Sequence, residues 1–139
     1  MPSIRPYAHV LDRLKSAGLR PTRQRLALAK LLLEDNYRHV TAEQLHGEAT
    51  DAGIKVSLAT VYNTLHQFTN AKLLREVVVE SGRAYFDTNT SEHQHLLNED
   101  TGELFDIAEE SIQFSAFPSL PCGTKIDRID IIVRVKSDI

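Results

Sequence analysis

Residues 57–70 read SLATVYNTLHQFTN and residues 73–87 read LLREVVVESGRAYFD. In the first stretch Leu58, Val61, Leu65 and Phe68 recur at helical intervals, Ser57 stands where a cap belongs, and Ala59, Thr60, Tyr62, Asn63 and Thr64 supply the other faces. In the second, two β-rich runs, Leu73 to Glu80 and Arg83 to Asp87, flank Ser81-Gly82, a two-residue hairpin signal. Upstream, the pattern predicts a helix from His9 to Ala17 closed by Gly18, a second opening at Thr22, and a third opening at the Thr41-Ala-Glu-Gln44 capping box. Helices followed by one hairpin are the order of a winged helix-turn-helix. The helix from Ser57 is then the recognition helix, placed to enter a major groove.

The rest of the chain differs in character. Ser91 to Asp100 is polar and rich in His and acid, as a hinge would be. Beyond it, Glu103 to Ile107 and Ile126 to Val135 read as strands, with a short helix from Glu109 to Phe114. In the last strand Ile129, Ile131, Val133 and Val135 face one way. So few strands bury little core alone, which makes this half a dimerisation domain with Phe114, Phe117 and Leu120 lining the dimer core. The expected class is α+β: a winged helix-turn-helix DNA-binding domain over 1–89 and a small α/β dimerisation domain, with a metal-binding hinge, over 90–139.

Charge divides the same way. Residues 1–89 carry 12 Lys and Arg against 9 Asp and Glu, while residues 90–139 carry 4 against 10, giving net −3 for 139 residues. A basic excess at one end of an acidic chain suits local contact with a polyanion. No apolar run reaches the roughly 20 residues of a membrane span, and no signal segment opens the chain, so a cytoplasmic protein is expected. Cys122 is the only cysteine, which excludes an internal disulfide and a structural zinc held by cysteine thiolates.

Five stretches, Gly18-Leu-Arg-Pro-Thr-Arg-Gln-Arg25, His39-Val-Thr-Ala-Glu43, Ser57-Leu-Ala-Thr-Val-Tyr-Asn63, Tyr85-Phe-Asp87 and His93-Gln-His95, resemble the ferric uptake regulator family in order and spacing. The ending Ile129-Asp-Ile-Ile-Val-Arg-Val135, without cysteine pairs, is similar to the family's iron response regulator branch. The resemblance implies a metal-responsive regulator that binds palindromic operators as a dimer, with a tetramer left open. It places Tyr62 on the major-groove face, with Ser57, Ala59, Thr60 and Asn63 nearby. A Tyr ring packs on thymine methyls, while Arg20, Thr22 and Arg25 can hold phosphates or a minor groove. Many relatives have Arg where this chain has Asn63, so base preference does not carry over.

The positions matching the family's regulatory metal site are His39, Asp87, His93, His95 and Asp106. Five nitrogen and oxygen donors suit Fe(II) or Mn(II), with Zn(II) as a substitute. In extended backbone His93 and His95 point the same way, although an H-x-H pair alone also occurs in solvated loops. An ion shared by both halves would set the distance between the two recognition helices of a dimer.

Asn98 and Thr101 stand where many relatives have a zinc-binding Cys pair, so no structural zinc is expected. A second metal site would fall on Glu92, Gln94, Gln113 and Asp127. Gln94 replaces the middle of three histidines tied to haem response in the iron response branch, which leaves haem open only through His93 and His95. Manganese and peroxide sensing are rival readings within the family. Two His and two Asp can also build a hydrolytic or oxygen-activating site, but no Gly-rich cradle or nucleophile motif accompanies them. A metal carrier is the third class, and strong sequence-specific DNA binding would discriminate against it.

Overall fold

The computed structural model describes residues 8–34, 37–80, 83–91 and 93–138, and it divides into two compact units, Met1–Thr90 and Ser91–Ile139.

In the first unit, α1 (Ala8–Ser16) closes with Leu19 N–H donating to the Leu14 carbonyl and Gly18 at φ +79°. That left-handed conformation is nearly free for glycine. Helices α2 (Arg23–Leu33), α3 (Ala42–Asp51) and α4 (Leu58–Asn70) open on Thr22, Thr41 and Ser57, whose hydroxyls accept from the N–H of Arg25, Gln44 and Thr60. The Gln44 carboxamide oxygen accepts in return from Thr41 N–H at 2.9 Å, completing the capping box. α4 ends without a glycine: Lys72 takes φ +65° so that Leu73 N–H reaches the Phe68 carbonyl. Leu14 and Leu28 bury fully against Leu45, Val61, Leu65 and Phe68. Thr64, expected on an outer face, is buried instead, because it lies three residues from Val61 on the inward stripe and its short side chain fits there.

Strands β2 (Arg75–Glu80) and β3 (Arg83–Asp87) pair antiparallel; the Ser81-Gly82 turn lies outside the described residues. A third strand was not expected. β1 (His39–Val40) pairs with the other edge of β3, setting His39 opposite Asp87 and Val40 opposite Phe86. Two residues are too few to produce a periodic signal.

The second unit holds a sheet in the order β5-β4-β6. The segment read as a polar hinge is its central strand, β4 (Gln94–Asn98), antiparallel to β5 (Leu104–Ile107) and parallel to β6 (Ile132–Val135). Its inward positions are taken by the His95 imidazole as well as by Leu97, so hydropathy hides the strand. The strand expected over Ile126 to Val135 is confined to its last four residues. Before them, the Gln94 side chain substitutes for backbone pairing, its Nε2 donating to the Ile129 carbonyl at 3.1 Å and its Oε1 accepting from Ile131 N–H at 2.6 Å. Val133 is exposed, so the alternation from Ile129 to Val135 buries no common face within one chain. The helix expected over Glu109 to Phe114 is a single 3-10 turn, Glu109–Ser111. No helix among the described residues is long and apolar enough to cross a membrane.

Candidate metal centre and nucleic-acid interface

The donors singled out in the sequence all lie among the described residues, His39 and Asp87 in the first unit and His93, His95 and Asp106 in the second. In the first unit the β1–β3 register brings His39 Nε2 within 3.1 Å of Asp87 Oδ2. Asp87 is fully buried, and its other oxygen accepts from Asn89 N–H at 2.9 Å. A buried carboxylate is tolerated only beside a positive or hydrogen-bonding partner, which the imidazole supplies.

In the second unit, strand alternation turns His93 and His95 inward with ring centres 4.6 Å apart, and the register sets His95 opposite Asp106. His93 Nε2 and His95 Nε2 lie 3.0 and 3.5 Å from the same oxygen, Asp106 Oδ1. His93 Nδ1 lies 2.7 Å from the Ser91 carbonyl. A carbonyl only accepts, so Nδ1 carries the proton and Nε2 is left with its lone pair toward the carboxylate. Two imidazole nitrogens converging on one carboxylate oxygen place nitrogen and oxygen donors around a common point. The residues therefore fit a divalent ion: imidazole and carboxylate donors, no thiolate, and a carbonyl behind one ligand fixing its tautomer.

The residues expected at DNA lie in the first unit. Arg20, Ala59 and Asn63 are exposed. Thr22 spends its hydroxyl on the cap of α2, and Ser57 Oγ both caps α4 and donates to Thr60 Oγ1 at 2.9 Å. Arg25 donates to the Arg20 carbonyl and to Gln67 Oε1. Tyr62 donates its hydroxyl to Glu43 Oε1 at 2.7 Å, joining α4 to α3. That bond holds the Glu43 carboxyl below its ordinary 4.5 and the Tyr62 phenol above its ordinary 10.0. Glu43, Gln67 and Ser91 were missed as site residues, since nothing in the sequence marks which polar side chain a fold will bring to another. Of the positions considered for a second metal site, Gln94 has both amide atoms on backbone partners, and Glu92 lies outside the described residues.

A winged-helix unit followed by a small sheet carrying an imidazole and carboxylate cluster defines a metal-binding transcription regulator. The chain belongs to the ferric uptake regulator family, whose profile matches residues 16–127. It is 38% identical over 101 residues to the ferric uptake regulation protein of Shigella flexneri, covering 72% of this chain and 68% of that protein. The corresponding protein of Escherichia coli K12 is 37% identical over the same shares of each chain. Among solved structures, the ferric uptake regulator from Pseudomonas aeruginosa with manganese superimposes with a TM-score of 0.68 at 25% identity, covering 93% of this chain and 98% of that one. The Vibrio cholerae regulator gives 0.70 at 26% identity, over 91% and 98%. Members of this family are DNA-binding, metal-responsive transcription regulators, not enzymes.

Proposed function

We propose that the chain is an iron-responsive regulator that binds a palindromic operator as a homodimer in the cytoplasm, with Fe(II) or Mn(II) held by His39, Asp87, His93, His95 and Asp106. The observation that carries this is the convergence of His93 and His95 Nε2 on Asp106 Oδ1. A divalent ion, when bound, would supply positive charge among these facing donors. One ion taking all five donors would couple DNA binding to metal supply. The manganese in the Pseudomonas aeruginosa relative supports the donor chemistry, and Zn(II) suits the same atoms. Placement in the iron response regulator branch rests on the ending Ile129 to Val135 and on Asn98 and Thr101 in place of a Cys pair. There, Asn98 Oδ1 accepts from the N–H of Asp100 and Thr101 and closes the turn between β4 and β5. Haem is the weaker effector, since both imidazoles are buried and face Asp106, an arrangement suited to a small ion. Phe114, Phe117 and Leu120, each about half exposed in the single chain, support a partner subunit over this surface.

Calorimetric titration of the full chain with Mn(II) tests the centre. One tight site per chain is expected, abolished by the double substitution His93→Ala and His95→Ala with helix content near wild type. Unchanged stoichiometry and affinity in the double variant would remove these two residues from the assignment.

A further inference from the structure

Arg25 lies in the first turn of α2 and is only partly exposed. Its Nε and Nη2 both donate to the carboxamide oxygen of Gln67, at 3.2 and 3.1 Å, and its Nη1 donates to the Arg20 carbonyl at 2.8 Å. Gln67 lies one turn beyond Asn63 on α4. The planar guanidinium thus joins three pieces of chain: the turn carrying Arg20, the start of α2, and α4. A fork fixes two directions at once, which a flexible ammonium does not. Three of its five N–H groups are committed inside the protein, including the Nε and Nη2 edge able to grip a phosphate in bidentate fashion. A cation bound this way is poorly placed to serve as a phosphate clamp and well placed to set the position of the exposed Arg20.

We propose that Gln67 is a positioning residue for DNA binding: it grips Arg25, which holds the Arg20 turn against the recognition helix, so that Arg25 acts through this bridge rather than as a phosphate contact. The inference deepens the DNA-binding reading and rests on it.

The test uses the full chain loaded with Mn(II) and a duplex selected by it from a random-sequence library. Gln67→Leu and Arg25→Lys leave the net charge unchanged while removing the grip from either side. Each is expected to lower affinity for the selected duplex roughly tenfold, as loss of a charge-assisted hydrogen bond does. The double variant should lose no more than either single one, because both break the same link. The slope of log K against log salt should stay at the wild-type value, since no phosphate contact is lost. A fall in the active fraction, read by stoichiometric titration, separates misfolding from a change in affinity. If Gln67→Leu does not fold, Arg25→Lys decides the matter by the same affinity and slope. Wild-type affinity in either variant, additive losses, or a flatter salt slope would overturn the inference while leaving the DNA-binding reading intact. A library that yields no preferred sequence for the wild-type chain would overturn that reading and the inference with it.

Discussion

Tyr62 and Glu43 share one hydrogen bond across the helix-turn-helix, and its dependence on pH has a definite sign at each end. The Glu43 carboxyl is lowered chiefly by the bond from Tyr62, so its contribution is present above 4.5 and lost as pH falls through the lowered value. The Tyr62 phenol is raised chiefly by the bond to Glu43, so its contribution is present below 10.0 and lost as pH rises through the raised value. The stability difference between wild type and Tyr62→Phe should therefore be flat from about pH 5 to 9 and shrink on both sides. Denaturant unfolding at several pH values measures it, and a difference growing toward acid would contradict the bond. On DNA, Tyr62 and Arg20 are expected to divide the labour. Replacing Tyr62 by Ala should cost about 1–3 kcal/mol on the operator and little on random duplex. Arg20→Ala should weaken both duplexes and flatten the salt slope by about one per contact. Equal losses on both duplexes for Tyr62→Ala would move that ring out of the groove.

At the scale of elements, the hydroxyl caps hold three helices where hydropathy alone would let their ends slide. Thr41 is the strongest case, because its side chain and that of Gln44 satisfy each other's backbone N–H. Thr41→Ala should destabilise the chain by about 1 kcal/mol. Ser57→Ala should cost about the same and also release Thr60, whose hydroxyl now accepts from Ser57. Thermal unfolding of both variants checks these values, and an unchanged midpoint for Thr41→Ala would mean the box is not formed in solution. β4 makes the opposite point, since its strand character comes from neighbours on both edges and from the Gln94 side chain rather than from its own residues.

For the whole molecule, the donor chemistry of the two units carries a prediction about metal removal. The turn between β4 and β5 is closed by Asn98 Oδ1, which accepts from the N–H of Asp100 and Thr101, and the exposed aromatic side chains Phe105, Phe114 and Phe117 leave apolar surface for a second copy. Exhaustive chelation should therefore abolish operator binding while leaving helix content and the dimer in place, as read by circular dichroism and sedimentation. Dissociation on chelation would mean that a metal holds the subunits together.

Much of this architecture was legible in the sequence, for reasons local to the chain. The inward stripe of α4 from Val61 to Phe68, the caps at Thr22, Thr41 and Ser57, and the two β-rich runs before and after Ser81-Gly82 each lie within one or two turns of backbone, where periodicity and cap chemistry operate. The candidate donors His39, Asp87, His93, His95 and Asp106 could be named from the sequence because the family resemblance supplied positions and imidazole beside carboxylate supplied the chemistry. Tertiary structure alone decided what depends on partners distant in sequence: the two-residue β1 beside β3, β4 at the centre of a sheet, Thr64 in the core, and the shortened β6. It also decided which polar side chains meet, as Arg25 meets Gln67 from 42 residues away and Tyr62 meets Glu43 from 19. Such pairs carry no period and no spacing rule, because a hydrogen bond between side chains is specified only once packing has fixed the elements that hold them.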